Sequence, residues 1–244
     1  MDPHCTRYYC YLRTRDENIQ KPQFSSAIKA VLFDMDGVLV DSISSWRHVH
    51  THFSTNNDAS VDAYVRGKIS DEEFIRRDVS QWKKNGTLIF KKELDSIFSS
   101  VNLMNGAKLL IERLKSYDVR LGIVSAGIDV LANKVGSSLD MDFVYANELE
   151  IDASGRLTGE GIVNVPLMRK DVVVDRIAQR FGLVKGDIAA IGNSCFDIPL
   201  LRSVGLGIAF HPDDDCISKE ADIVVNEKNL ENIIDVIIPY LNKK

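Results

Sequence analysis

The chain has 244 residues, 35 acidic against 30 basic side chains and a formal charge of −5. That length suits one domain with a sizeable insert or two small ones, and 45% hydrophobic with 27% charged residues is the composition of a globular chain able to bury a core. The acidic balance argues against a nucleic-acid partner, and no apolar stretch approaches the ~20 residues of a membrane-spanning helix.

Residues 1–27 carry charge and tyrosine but no apolar run, so a poorly ordered tail is expected there rather than a secretory signal. IKAVLFD, from Ile28, is short, apolar and β-branched and reads as a buried strand. Residues 43–104 change character: charged and polar residues recur at helical spacing, as in ISDEEFIRRDVSQWKK, where Ile75, Val79 and Trp82 share a face. Ser70 followed by Glu73 is a capping box for that helix. From residue 105 a helix with Leu109, Leu110 and Leu114 leads to the strand VRLGIVS, a helix over about 128–139 and the short strand DFVYA. ELEIDASGRLTGEGIV, broken at Ser154-Gly155, reads as a β-hairpin. A helix over about 168–182, the strand DIAAIG, a helix over about 196–203, the strands LGIAF and ADIVV, and a last helix striped from Leu230 to Leu241 complete the chain. Strands alternating with helices predict a parallel sheet covered on both faces. The expected organisation is a Rossmann-like α/β core over 28–42 and 105–244, with 43–104 inserted as a helical module after the first strand.

In such sheets ligands bind beyond the carboxyl ends of the strands, and four strand ends carry chemistry. Asp34 and Asp36 follow the first strand; they are either an acidic turn with Gly37 as its bend or a carboxylate pair that needs a cation between its charges. Mg²⁺ suits the second reading, since it takes oxygen ligands and often only one or two carboxylates. Ser125-Ala126-Gly127 is either a plain N-cap or a phosphate cradle. Lys170 opens the helix after the hairpin, as a solvated surface lysine or as a partner for phosphate or carboxylate. Gly192-Asn193-Ser194-Cys195-Phe196-Asp197 offers oxygen ligands at another strand end, or only a turn and cap.

Taken in this order, the four strings resemble the motifs of the haloacid-dehalogenase superfamily of phosphohydrolases along nearly the whole chain from Ile28. The insert matches that superfamily's helical cap, and GKISDEEFIRRDVS, IVSAGIDVLANKV and DASGRLTGE look most like its phosphoserine-phosphatase-like branch. The resemblance implies a Mg²⁺-dependent phosphatase acting on a small phosphorylated metabolite. In it Asp34 is the nucleophile that forms an aspartyl-phosphate, and Asp36 is the general acid and base. Ser125, Ala126 and Gly127 hold the phosphoryl oxygens, and Lys170 offsets negative charge. Asp34, Asp36, Asn193 and Asp197 hold the metal. A phosphotransferase using the same intermediate, or a silent phosphometabolite-binding protein, are the alternatives.

The chain departs from that branch at three positions. Asn193 stands where the branch has aspartate, which predicts weaker Mg²⁺ binding than an aspartate there would give. Ile43 stands where a glutamate meets the substrate's ammonium, and Phe196 where an asparagine precedes the last aspartate. These predict altered specificity, toward an ester with an uncharged or apolar portion facing Ile43 and Phe196. Arg76 falls at the cap arginine that holds a substrate carboxylate. His48, His50 and His52 sit close together and His48/His52 have the i, i+4 spacing of a helical metal pair, but no third ligand of suitable type follows nearby, so a zinc site is not expected. Cys195 is read as a small loop residue, not a nucleophile. The four cysteines, Cys5, Cys10, Cys195 and Cys216, form no disulfide framework, which predicts a cytoplasmic setting.

Overall fold

The computed structural model describes residues 19–242; residues 1–18, with Cys5, Cys10 and most of the expected tail, lie outside the described residues. In chain order, β1 (Ala30–Phe33) is followed by α1 (Ser45–His52), α2 (Asp58–Val65), α3 (Asp71–Val79), the two-residue strands β2 (Lys83–Lys84) and β3 (Thr87–Leu88), and α4 (Lys91–Ile97). Then come α5 (Ala107–Leu114), β4 (Arg120–Ile128), α6 (Asp129–Leu139), β5 (Phe143–Ile151) and β6 (Leu157–Ile162). The chain continues through α7 (Asp171–Phe181), β7 (Ile188–Gly192), α8 (Ile198–Arg202), β8 (Leu206–Phe210), α9 (Asp215–Glu220), β9 (Ile223–Val225) and α10 (Asn232–Ile237). None of these helices is long and apolar enough to cross a membrane.

Seven strands form one sheet in the order β6-β5-β4-β1-β7-β8-β9, parallel except where β6 runs back along β5. β1 lies at its centre, and all four of its residues are fully buried. Their alternation feeds two apolar clusters: Val31 and Phe33 point to one face, Ala30 and Leu32 to the other. That is why the strand reads as an unbroken apolar run rather than an alternating one. Strand order reverses around β1, so its carboxyl end opens on the crevice where α/β sheets bind ligands.

The helical module emerges between β1 and α5 as expected. Ser70 caps α3 by accepting from Glu73 N–H at 3.3 Å, but the capping box is not closed. The Glu73 carboxylate instead accepts from Arg76 and Arg77. Ile75, Val79 and Trp82 are buried in the same cluster as Val31 and Phe33, because α3 lies on β6. An added Cβ at Gly161 of β6 would meet Ile75 Cγ2 at 3.0 Å.

Three differences from the sequence reading have physical causes. DFVYA and the first arm of the hairpin are one strand, β5: its first half pairs parallel with β4 (Gly122↔Phe143) and its second antiparallel with β6 (Glu148↔Ile162). The last helix ends at Ile237 and tightens into a 3₁₀ turn over Ile238–Tyr240, since Pro239 brings no N–H. The end of the expected tail, residues 21–27, is tied to the core by a few contacts while most of its side chains stay exposed. Lys21 pairs with Asp222, Ser25 bonds Asp187, Phe24 sets its ring edge-on to Tyr240 at 5.4 Å, and Ala27 is buried. Those partners lie roughly 160–215 residues away in sequence, beyond the reach of local pattern.

Candidate active site

Three neighbouring strand ends converge. The register Phe33↔Ile123 and Phe33↔Ile191 sets Asp34, just past β1, level with the ends of β4 and β7 that carry Ser125 and Asn193. Beyond Asp34 the chain turns tightly: Met35 O accepts from Val38, Leu39 and Val40 N–H, with Gly37 at φ +77°. A side chain at Gly37 would strike Asn193, whose Nδ2 would lie 2.3 Å from its Cβ. A cavity of about 340 Å³ opens over these ends. Asp34, Asp36, Ser125, Ala126, Gly127, Lys170 and Asn193 line its floor, and Ile43 and Phe196 line it as well.

Lys170 is the electrostatic centre. Its Nζ lies 2.9 Å from Asp34 Oδ1 and 2.6 Å from Asp197 Oδ1, and all three side chains are nearly inaccessible to water. Burial opposes its charge, but the carboxylates of Asp197 and Asp34 outweigh that and hold the ammonium above its ordinary pKa. Burial and the charge of Asp197 push Asp34 up to about 7 against the pull of Lys170. Burial likewise raises Asp36 to about 6, against a lowering by its bonds to Ser45.

Asp36 is held on one side only. Ser45 Oγ donates to Asp36 Oδ2 at 2.8 Å, while Oδ1 has no hydrogen-bond partner. Gly127 makes this possible, since a Cβ there would meet Ser45 Oγ at 2.5 Å and Asp36 Oδ2 at 2.8 Å. Ser125, 1% exposed, accepts from Gly127 N–H at 3.0 Å, which leaves the hydroxyl hydrogen for a ligand oxygen.

Buried Asn147 ties the last residues of β4, where Ser125-Ala126-Gly127 still belong to the strand, to the segment approaching Lys170. Its Nδ2 donates to Ala126 O and Val165 O, and its Oδ1 accepts from Asn164 and Val165 N–H. Trp46 Nε1 donates to the same Ala126 O at 3.0 Å. Asp71, the first residue of α3, accepts from Leu167 N–H at 3.1 Å and so links the insert to that segment.

Two expected ligands are placed differently. Asp197 does not line the cavity: Oδ1 accepts from Lys170, and Oδ2 accepts from the N–H groups of Asn193 and Ser194 at 3.0 and 3.1 Å. Both oxygens are engaged in orienting the lysine and the loop. Arg76 also lies outside the cavity wall, its guanidinium held by both oxygens of Glu160 at 2.8 Å and by Glu73. The basic side chains that do line the cavity, among the described residues, are Arg47 and Lys170.

Residues the sequence reading passed over are Ser45, Trp46, Arg47, Asn147 and Asp213. Asp213 was within reach of the strand-end rule, since HPDDD directly follows β8. It lines the cavity and accepts from Asn193 Nδ2 at 2.8 Å. Burial and the neighbouring Asp214 raise its carboxyl above the ordinary value.

Among the described residues no group of three or more His, Cys, Asp or Glu is arranged to hold a metal ion. His48 bonds Ile97 O, His50 is buried against Thr55 and Asp78, and His52 sets its ring edge-on to Phe53. The oxygen set on the floor fits a hard ion that keeps water and takes phosphate oxygens, namely Mg²⁺ rather than Zn²⁺. The buried, unpartnered Asp36 Oδ1 and the raised pKa values of both carboxyls are what such a set looks like with its negative charge uncompensated.

Comparison with known proteins agrees with this geometry. The family model for haloacid dehalogenase-like hydrolases matches residues 31–202. A phosphoserine phosphatase of Idiomarina loihiensis is 30% identical over 84% of this chain and 91% of its own length. One of Archaeoglobus fulgidus is 28% identical over 88% of this chain, which spans 61% of that relative's length. A phosphoserine phosphatase solved as an analogue of its phospho-aspartyl intermediate superposes with a TM-score of 0.73 at 25% identity, covering 87% of this chain and 100% of its own.

Proposed function

Because the chain belongs to the haloacid dehalogenase-like hydrolase family, in its phosphoserine-phosphatase-like branch, and is a phosphoric monoester hydrolase, we propose that it hydrolyses a small phosphomonoester through phosphorylated Asp34 in a Mg²⁺-dependent reaction. The observation that carries this reading is the buried ion pair of Lys170 with Asp34 on a cavity floor shared with Asp36.

Asp34, the backbone carbonyl of Asp36 and Asn193 Oδ1 would hold the metal, with Asp197 acting through Lys170 and the loop. Bound there, Mg²⁺ supplies the positive charge that lets an anionic carboxylate approach an anionic ester. Lys170 favours the ionised form of Asp34 against burial and Asp197, and aims it. The Asp34 carboxylate attacks phosphorus, the Asp34–phosphoryl bond forms and the ester P–O bond breaks. Ser45 donates to Asp36 Oδ2, so an acidic proton on Asp36 resides on the unpartnered Oδ1, from which it passes to the leaving alkoxide. Asp36, now a carboxylate, takes a proton from the water that attacks the phosphorylated aspartate. That step releases inorganic phosphate and restores Asp34. Ser125 Oγ and the Ala126 N–H would hold the phosphoryl oxygens, with the Gly127 N–H orienting that hydroxyl.

The cavity wall favours an ester other than a zwitterionic amino acid. Ile43, Trp46, Phe74 and Phe196 give the wall an apolar patch alongside Asp71, Asp213 and Asp214, and Arg47, 4.0 Å from Asp58, is a basic group on it. Inorganic phosphate release from a panel of phosphomonoesters, phosphoserine included, with and without Mg²⁺, tests both parts. The expected result is Mg²⁺-dependent turnover with phosphoserine a poor substrate. A clear preference for phosphoserine overturns the specificity, and Mg²⁺-independent turnover overturns the metal. Higher phosphate transfer than release in the presence of alcohol acceptors would favour a phosphotransferase.

A further inference from the structure

Asn193 and Asp213 bind each other twice. Asn193 Nδ2 donates to Asp213 Oδ2 at 2.8 Å, and Asp213 N–H donates to Asn193 O at 2.8 Å. Both residues line the cavity that holds Asp34 and Asp36. An ionised carboxylate only accepts hydrogen bonds, so Asp213 holds the NH₂ end of the amide and never its oxygen. Asn193 is 5% exposed and lies over Gly37, so its amide has little freedom except to turn over in place. A turned amide would present its donor, rather than its oxygen, to a cation. Asp213 is itself fixed by its neighbour: Asp214 accepts from Cys195 N–H at 2.7 Å and caps α9 through Ile217 N–H at 3.0 Å.

We propose that Asp213 is a positioning residue of the cation site, locking the amide of Asn193 with Oδ1 toward the ion and supplying the negative charge that an amide at position 193 lacks. The inference rests on the Mg²⁺-dependent reading of the cavity. It accounts for a neutral ligand at this position: the carboxylate stands one hydrogen bond further back, on the loop after β8 rather than after β7.

Mn²⁺ binding, followed by loss of the free-ion electron paramagnetic resonance signal without substrate, tests it. The wild-type protein is compared with Asp213→Asn, Asn193→Asp and the exchanged pair carrying both changes, with circular dichroism and Tm in chelator for each. Asp213→Asn is expected to weaken Mn²⁺ binding by about 10–100-fold with an unchanged spectrum. Asn193→Asp sets two carboxylates against each other, so it should bind Mn²⁺ more tightly yet melt earlier in chelator. The exchanged pair restores one donor and one charge and should bring Tm back near wild type and Mn²⁺ affinity back to at least the wild-type value, a rescue that a merely structural role for Asp213 would not give in the Kd. Wild-type affinity in Asp213→Asn, or an exchanged pair as weak as that variant, overturns the proposal. Should Asp213→Asn not fold, the exchanged pair decides in the same sense. A wild-type protein that binds no Mn²⁺ removes the cation reading itself, which separates that failure from this one.

Discussion

Ser45 Oγ donates to Asp36 Oδ2 at 2.8 Å while accepting from Ile128 N–H at 3.1 Å. The second bond uses the hydroxyl's lone pair and commits its hydrogen to Asp36, so the serine distinguishes the two oxygens of the carboxyl group. Removing it should matter most where a proton must be delivered. Ser45→Ala is expected to lower kcat by about tenfold on alkyl phosphates, the equivalent of about 1.4 kcal/mol. The loss should be much smaller on p-nitrophenyl phosphate, whose leaving group needs little protonation. Equal losses on both would show that Ser45 does not serve the acid.

Lys170 lies between Asp34 and Asp197, and all three side chains are nearly inaccessible to water. Lys170→Met leaves two buried carboxylates without their cation and should cost about 3–5 kcal/mol of stability. Its kcat should fall by about 10²–10³-fold, read by phosphate release at saturating substrate. Lys170→Arg should not restore the rate, because a planar guanidinium cannot replace a compact ammonium in that gap. A methionine variant that stays fully active would remove the lysine from the reaction.

Arg76, held by Glu160 and Glu73, lies outside the cavity, and Arg47, 4.0 Å from Asp58 Oδ1, lines it. For a substrate that carries an anionic group besides its phosphate, Arg47→Ala should raise KM by about tenfold with little change in kcat, the mark of a contact made equally in ground and transition states. Arg76→Ala should leave KM near wild type. The opposite pattern would return the recognition role to Arg76.

The strand ends were legible because local pattern carries them. Asp34 and Asp36 end an apolar run, Ser125-Ala126-Gly127 ends another, and Asn193 a third, so a parallel sheet had to bring them together. Asp197 was legible as a motif residue but not as one turned away from the cavity, since its hydrogen bonds depend on how the loop coils after β7. Ser45, Asn147 and Asp213 act through partners on distant segments (Ile128, Val165, Asn193), and nothing in their neighbours' sequence announces those pairings. Arg76 misled for the same reason: the carboxylate that occupies it is Glu160, on the far arm of the hairpin. The Ser70 cap was visible, but the competition of Arg76 and Arg77 for Glu73 was not.

The central claim is that phosphate passes through the side chain of residue 34, and it is tested directly by stopping the reaction in acid during steady turnover and sequencing the peptide that spans β1 by mass spectrometry. The account predicts one phosphoryl group on Asp34, lost on brief exposure to mild base and absent from Asp34→Asn, which should release no phosphate. Turnover with Asp34 never phosphorylated, or an Asp34→Asn protein that still hydrolyses the ester, would contradict it.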